Sequence, residues 1–375
     1  MSGTSCDGID AALVGISPRA GGGAVVRTLA TRFAPYASVV RARLLAFPDV
    51  TATEVVRLDV VLGRMLAAAT RALCVGAGVN LGDVDFVASH GHTVVHLPRR
   101  LGHGGGTLQI GQPAEIAERT GLRVVADFRP RDFAAGGQGA PLVPFADRML
   151  LARPGRIVAC QNIGGIANVT AIGPAEDDLV AFDTGPGNMM MDAAASRATN
   201  GRLRFDRAGR MAAAGRVNEA LLSELLAHPY LRRRPPKSTG REEFGAAFVG
   251  PLLAGRKSPG AWRDLLATLT AFTARSIADA YRRFLAPVDE CVVSGGGARN
   301  PTLMRFLAEA LPATEVVSSA ARGVDPDFKE AIAFALLGWA HVNGIPNTLP
   351  AATGAAHGVV AGAVWPGGPG LARGR

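Results

Sequence analysis

The stretch R-I-V-A-C-Q-N-I-G-G-I-A-N-V-T, residues 156–170, is a short apolar run that leads directly into a polar, glycine-rich motif. The same form recurs in residues 84–91, 123–127, 179–183 and 290–297, where apolar residues come first and polar or glycine residues follow. Segments with helical apolar spacing separate several of these runs, and strands that alternate with helices are typical of α/β layers. Ligands in such folds gather beyond the strand ends. We therefore predict an α/β fold whose polar motifs share one cleft.

The rest of the chain divides into predicted helices, strands and loops. The predicted helices are 52–75, 189–199, 261–284, 302–311 and 328–342, and the first two predicted strands are 9–16 and 24–33. Residues 228–242, rich in Arg and Pro, are predicted to form a loop. A length of 375 residues allows two core-bearing domains. We place them at 1–150 and 151–345, followed by a Gly/Pro-rich tail at 346–375.

The first ten residues, M-S-G-T-S-C-D-G-I-D, place glycine, hydroxyl and carboxylate groups ahead of an apolar run. Asp7-Gly8 is a tight-turn signal, because glycine takes the positive φ that a short hairpin requires. We predict a hairpin turn that enters the first strand. Turns that crowd backbone N–H groups and hydroxyls together bind anions such as phosphate. An ordinary surface hairpin is the alternative at this point.

The composition, 48% hydrophobic and 19% charged, is typical of a globular protein. No apolar run reaches the roughly 18 residues that a membrane span needs. The four cysteines lie far apart and form no C-x-x-C pair, which argues against a zinc site and against a disulfide framework. We predict a cytoplasmic protein that contacts no membrane.

A net charge of +9 raises the hypothesis of nucleic-acid binding. The arginines are scattered along the whole chain, however, and only Arg232, Arg233 and Arg234 form a compact run. No basic patch is interleaved with the aromatic residues that stack on bases. We therefore predict no nucleic-acid partner, and the positive field favours an anionic small molecule.

Three glycine-rich turns lie near residues 3, 164 and 294, and a missing Cβ lets backbone N–H groups approach a phosphate or a nucleotide closely. None of them matches a P-loop or a dinucleotide-binding fingerprint. Together they resemble the phosphate and adenosine loops of the actin, hexokinase and Hsp70 superfamily. That resemblance implies a two-lobed, ribonuclease H-like α/β fold with ATP and a sugar in the cleft between the lobes.

A set of nine ordered motifs narrows the resemblance to one family. They are M-S-G-T-S-C-D-G-I-D, S-H-G-H-T-V-V-H, Q-I-G-Q-P-A, V-A-D-F-R-P-R-D-F-A-A-G-G-Q-G-A-P-L-V-P, N-I-G-G-I-A-N-V-T, F-D-T-G-P-G-N, P-K-S-T-G-R-E, S-G-G-G-A-R-N and K-E-A-I-A-F-A. From residue 1 to about residue 360 this set is similar to that of the anhydro-N-acetylmuramic acid kinases. The resemblance implies an enzyme of cell-wall recycling that opens the 1,6-anhydro ring with water and phosphorylates O6 from ATP.

The resemblance implies roles for particular residues. Asp183 is the expected general base, the alternative being a carboxylate that stabilises the start of the next helix. Asp7 is expected to bind Mg²⁺ directly or through water, because hard cations prefer oxygen ligands. The residues expected to contact ATP are Gly3, Thr4, Ser5, Asp7 and Gly8 in the first loop, Gly164 and Gly165 in the second, and Gly295, Gly296 and Gly297 at the adenosine.

The sugar end of the site is expected to use His92, His96, Asp127, Arg129, Arg131, Asn188 and Glu330. An arginine suits the lactyl carboxylate because its planar group donates two parallel hydrogen bonds, but the sequence does not distinguish between the two arginines. Asn188 is expected mainly to cap a helix. Two alternatives stay open: a related amino-sugar kinase with another acceptor, and an ATP-clamp sensor without turnover. The family resemblance also suggests a homodimer.

Two features depart from the family pattern. The family has apolar residues before M-S-G-T-S that form a first strand, so we expect that the start was assigned late and that this exact polypeptide is less stable or less active. His92 stands where the family has Gln. Both side chains hydrogen-bond a sugar, so we expect a change in affinity more than a change in chemistry.

Overall fold

The computed structural model describes residues 1–3, 6–19, 23–99, 104–175, 178–256 and 258–368. Contacts within the chain divide it into two compact units, which we call unit 1 (Met1–Leu150 with Phe328–Arg375) and unit 2 (Leu151–Asp327). The chain passes from unit 1 to unit 2 between Leu150 and Leu151. The segment after residue 327 differs, because it packs with unit 1 and not with the lobe predicted at 151–345.

The described residues form a mixed α/β structure, as predicted. The strands are β1 Gly8–Pro18, β2 Ala24–Pro35, β3 Val87–Ala88, β4 His92–Leu97, β5 Gly106–Ile110, β6 Val124–Ala126, β7 Val158–Ile163, β8 Ile166–Ile172, β9 Leu179–Pro186, β10 Glu290–Ser294, β11 Glu315–Ser318 and β12 Ala363–Trp365. The helices are α1 Ser38–Leu45, α2 Ala52–Ala77, α3 Pro113–Thr120, α4 Pro130–Ala134, α5 Val143–Leu151, α6 Met189–Ala198, α7 Arg210–Ala213, α8 Glu219–Leu226, α9 Pro229–Arg232, α10 Arg241–Phe244, α11 Ala246–Leu253, α12 Pro259–Phe284, α13 Pro301–Ala310, α14 Lys329–Val342 and α15 Pro350–Thr353.

Unit 1 contains three small sheets. The long strands β1 and β2 pair antiparallel, β4 pairs antiparallel with β5, and β12, β6 and β3 form a third sheet in that order. The chain start extends this arrangement, because the Asp10 amide donates to the Met1 carbonyl at 2.9 Å and Ser2 forms a parallel bridge with His92. The start of the chain is thus hydrogen-bonded to both β1 and β4.

Unit 2 is built on one five-stranded sheet with the order β11-β10-β7-β8-β9. β10 runs parallel to both β7 and β11, whereas β7, β8 and β9 form an antiparallel meander. Helix α12 crosses the core of this unit with sixteen buried residues along its length. Its start follows from the sequence, because Ser258 accepts a hydrogen bond from the Ala261 amide and Pro259 occupies the first turn.

The long apolar helix α2 corrects one sequence expectation. Its length and composition would suffice to cross a membrane, although the sequence analysis expected no apolar run long enough for a span. Of its most apolar window, 39% is buried. In the fold, Leu58, Leu62 and Leu66 of this helix belong to the core of unit 1. A core helix passes the same length test, so this helix is weak evidence for a membrane span.

Two segments contain more regular structure than the sequence predicted. Residues 228–242, expected to be a loop, include α9 and the start of α10. Residues after 346, expected to be a tail, include α15 and β12, and β12 pairs antiparallel with β6. Short elements of this kind lack a long hydrophobic period, and tertiary packing stabilises them.

Candidate active site

Asp183 lies inside β9 and not at a strand end, because the strand continues to Pro186. Backbone groups of a crossing segment hold it on both sides. The Thr239 amide donates to the Asp183 carboxylate at 2.9 Å, and the Asp183 amide donates to the Lys237 carbonyl at 3.1 Å. The Tyr230 hydroxyl donates to the Asp183 carbonyl at 2.8 Å. The segment predicted to be a loop therefore fixes the position of this carboxylate.

The surroundings of Asp183 shift its pKa. Burial raises the pKa of Asp183 to about 6, although the Thr239 amide and the Lys237 ammonium act in the opposite direction. Burial lowers the pKa of Lys237 to about 8, and its ammonium lies over the rings of Tyr230 and Phe284 at 4.8 Å. A carboxylate that titrates about one unit below neutral pH is a suitable general base.

The second glycine turn connects β7 to β8 as a tight hairpin. Carbonyl groups of this hairpin accept hydrogen bonds from the residues at the start of α6. The Asn188 amide donates to the Gly164 carbonyl at 2.7 Å, and the Gly187 amide donates to the Gly165 carbonyl at 3.0 Å. A Cβ on Gly187 would lie 2.2 Å from the Gly164 oxygen. The hairpin and the helix therefore meet at a distance that only glycine allows.

Asn188 does not cap α6 with its side chain, which corrects the expectation. Its backbone is already helical, and its amide Nδ2 instead donates to the Ile163 carbonyl at 3.0 Å. An N-cap side chain needs an extended backbone at its own residue to reach back to the helix amides. Asn188 thus ties α6 to the end of β7.

The third glycine loop follows β10 and touches the same hairpin. Gly295 has a φ of +76°, and a Cβ there would lie 2.7 Å from the Asn162 oxygen Oδ1. A Cβ on Gly297 would lie 2.5 Å from Ile163, whereas one on Gly296 would meet only Asn188, at 3.3 Å. Unit 2 therefore gathers both of its predicted glycine loops and Asn188 around the end of β7.

The first loop lies in unit 1, and Thr4 and Ser5 fall outside the described residues. The Cys6 amide donates to the Gly3 carbonyl at 3.1 Å, and the positive φ of this turn, +52°, belongs to Cys6. A Cβ on Gly8 would lie 2.5 Å from the Ala34 oxygen on β2. Gly8 is required for close strand approach. Asp7 between them is exposed.

A pocket of about 270 Å³ in unit 1 brings together several predicted residues. Its lining consists of Met1, Ser2, Gly3, His90, Thr93, His96, Arg129, Ala140 and Glu330. Four of these were predicted from the sequence: one from the first loop and three from the sugar end. His90 was missed, although its motif S-H-G-H was quoted, because Gly91 has a φ of +68° and interrupts the extended backbone between His90 and His92, so their spacing does not place them on one side.

Arg129 is the charged centre of this pocket. Its Nη1 donates to the Gly139 carbonyl at 2.7 Å and its Nη2 lies 2.9 Å from His90 Nε2. Its buried Nε has no partner among the described residues. Burial lowers the pKa of Arg129 to about 10 while Glu330 acts against this, and burial raises the pKa of Glu330. Arg129 therefore brings to the lining of the pocket a positive charge and one N–H without a hydrogen-bond partner among the described residues.

His90 is held neutral beside that cation. Burial, followed by the charge of Arg129, lowers its pKa well below the ordinary value. A neutral imidazole can accept from Arg129 through Nε2 while its Nδ1 faces the Gly91 carbonyl at 3.2 Å. Burial likewise lowers the pKa of His96. Neither histidine adds positive charge near neutral pH.

Four predicted sugar residues do not line this pocket: Asn188, which belongs to unit 2, and His92, Arg131 and Asp127. His92 is buried, with its ring nitrogens facing Ser2 Oγ at 3.0 Å and Cys6 Sγ at 3.7 Å. Arg131 donates to the Val360 carbonyl at 2.9 Å. Asp127 is exposed after β6 with a φ of +56°. Sequence spacing alone could not show that Arg129 lines the pocket and these three residues of unit 1 do not, because all four side chains are polar.

The described residues include no group of three or more His, Cys, Asp or Glu side chains that could hold a metal ion. Mg²⁺ keeps several waters and uses one or two carboxylates together with substrate phosphates. Asp7 offers one exposed carboxylate, which fits that mode of binding.

Comparisons with known proteins agree with the motifs. Residues 1–367 match the family model described as anhydro-N-acetylmuramic acid kinase. The chain is 44% identical to a protein of that name from Caldanaerobacter subterraneus subsp. tengcongensis over 97% of this chain and 95% of the relative. It is 47% identical to one from Streptomyces avermitilis, covering 99% of this chain and 94% of the relative.

Proposed function

Because this chain belongs to the anhydro-N-acetylmuramic acid kinase family, we infer that it is the kinase that converts 1,6-anhydro-N-acetylmuramic acid and ATP into N-acetylmuramic acid 6-phosphate and ADP. It is an ATP-dependent phosphotransferase of peptidoglycan recycling. The observation that supports this function best is Asp183, a carboxylate fixed by backbone contacts whose pKa of about 6 leaves it ionised at neutral pH.

Asp183 accepts the proton of the attacking water. As the water oxygen bonds to the anomeric carbon, the bond from that carbon to O6 breaks, and O6 attacks the γ-phosphate of ATP. One proton leaves the water and passes to Asp183, so the charges balance as ADP departs. The general base must be ionised for this step.

Arg129 receives the lactyl carboxylate of the sugar in the unit 1 pocket. Its partly satisfied guanidinium has the planar donor geometry that a carboxylate matches. Glu330 is oriented at the same pocket to accept from sugar hydroxyls. Arg131 is not available in the same way, because it already donates to the Val360 carbonyl.

ATP contacts fall to the glycine loops, whose missing Cβ atoms expose backbone N–H groups. In unit 2 these are Gly164–Gly165 and Gly295–Gly297, and in unit 1 the loop from Gly3 to Gly8. Asp7 would hold Mg²⁺, which supplies charge neutralisation at the phosphates when bound. A homodimer and a cytoplasmic location remain predictions.

The direct test is mass spectrometry of the purified chain with Mg-ATP and anhydro-N-acetylmuramic acid. We expect a product heavier than the substrate by one water and one phosphoryl group, which reports ring opening and phosphorylation together. If the chain phosphorylates only a different amino sugar, the assigned acceptor is wrong. ATP binding without any product would favour a sensor.

A further inference from the structure

The buried histidine of β4, His92, contacts both ends of the loop that carries Thr4 and Ser5. Its Nδ1 lies 3.0 Å from Ser2 Oγ before the loop, and its Nε2 lies 3.7 Å from Cys6 Sγ after it. All three side chains are buried. One imidazole therefore links the position of Ser2 to that of Cys6.

Tyr36, which follows β2, contacts the same two flanks. Its hydroxyl donates to Ser2 Oγ at 2.8 Å, and its amide donates to the Asp7 carbonyl at 2.9 Å. Burial raises the pKa of Tyr36 to about 12, so the hydroxyl keeps its proton. Ser2 therefore accepts from Tyr36 and has its own proton left for His92.

One tautomer of the imidazole matches all of these contacts. When Ser2 donates to Nδ1, the ring proton lies on Nε2, which faces the Cys6 sulfur, a weak acceptor, at 3.7 Å. In that tautomer the hydrogen bonds run from Tyr36 through Ser2 and His92 to Cys6. Burial lowers the pKa of His92, in keeping with a neutral ring.

We propose that His92 is a positioning residue for ATP binding and not a sugar ligand: it holds Ser2 and Cys6 at a fixed separation, and with them the backbone of Gly3, whose carbonyl accepts from the Cys6 amide. This rests on the proposed function, in which the loop from Gly3 to Gly8 contacts ATP. A glutamine can occupy the same place, because its terminal amide carries both an acceptor and a donor.

The test separates ATP from sugar by steady-state kinetics on the full chain. His92→Leu keeps an apolar volume but removes both ring hydrogen bonds, so we expect KM for ATP to rise about three- to tenfold with KM for the sugar nearly unchanged. His92→Gln should restore the ATP value. His96→Leu, in the pocket of Arg129, is the matched variant and should raise KM for the sugar instead.

A rise in KM for the sugar with an unchanged KM for ATP in His92→Leu would overturn the proposal. If His92→Leu does not fold, Tyr36→Phe removes only the first donor of the chain and should still raise KM for ATP; no rise there would also overturn it. A wild-type chain that forms no phosphorylated sugar would instead contradict the proposed function, and ATP dissociation constants from calorimetry would then decide the role of His92.

Discussion

Asp183 in unit 2 and Arg129 in unit 1 are both partly buried charged groups, but different kinds of partner hold them. Asp183 accepts a hydrogen bond from the Thr239 backbone amide. Arg129 donates one hydrogen bond to the Gly139 carbonyl. Its other contacts are with side chains far away in the sequence, since His90 contacts it directly and Glu330 balances its charge.

The difference decides what a sequence reveals. A site built from backbone requires glycine where chains approach closely, and glycine motifs are visible in the sequence. A site built from side chains requires only polar residues whose directions are set by strand pairing, and many polar residues look alike. The following predictions test this contrast.

Asp183→Asn should produce the largest effect, because it removes the base while keeping the shape of the side chain. We expect turnover to fall by about 10²- to 10⁴-fold with ATP binding retained, measured by product formation and by calorimetry. Asp279→Asn, which removes a carboxylate paired with Arg282 at the surface of the same unit, is the control and should keep turnover. Full turnover in Asp183→Asn would refute the base assignment.

Arg129→Ala and Arg131→Ala distinguish the two arginines. Arg129→Ala should raise KM for the sugar by about 10- to 100-fold, the range of a hydrogen bond to a charged group. Arg131→Ala loses only a bond to the Val360 carbonyl and should change KM little. Equal effects in the two variants would show that the pocket in unit 1 does not receive the carboxylate.

The pH profile tests the electrostatics of unit 2. Asp183 works as a base only when ionised, and its pKa is raised to about 6. As pH falls below that value, the carboxylate becomes protonated and kcat should drop about tenfold per pH unit. A flat kcat between pH 4.5 and about 7 would contradict this role.

The same pKa has a consequence for stability. Folding raises the pKa of this carboxyl, so the folded chain binds the proton more tightly than the unfolded chain does. The contribution of that proton to the free energy of unfolding is fully present below the unfolded pKa near 4. It is lost as pH rises through about 6. Asp183→Asn should therefore have a higher melting temperature than the wild type at pH 8. Equal melting temperatures there would indicate a carboxylate that is not desolvated.

Gly295→Ala and Gly296→Ala test whether close approach shapes the third loop. Gly295 combines a positive φ with a contact of 2.7 Å for the added Cβ, so we expect a loss of about 1–3 kcal/mol in unfolding free energy and weaker ATP binding. In Gly296→Ala the added Cβ would lie 3.3 Å from Asn188, so we expect less than half of that loss in unfolding free energy. Urea unfolding of both variants measures the difference.

The sequence by itself determined the long helices, the first strand pair and the glycine loops. The helical apolar period of α2 and the Ser258 cap with Pro259 of α12 are local signals, and local signals survive without the rest of the chain. The three glycine motifs were readable because glycine is visible in the sequence. At Gly8, Gly187 and Gly295 an added Cβ would lie within 2.8 Å of a backbone oxygen, an approach that only glycine allows.

The tertiary structure decided which side chains act together. His90 lines the Arg129 pocket whereas His92, two residues away, contacts Ser2, because Gly91 has a φ of +68° and interrupts the extended backbone between them. Glu330 reaches the same pocket from the other end of the chain because α14 packs into unit 1. No local pattern specifies such contacts, since they depend on strand register and on the packing of distant segments.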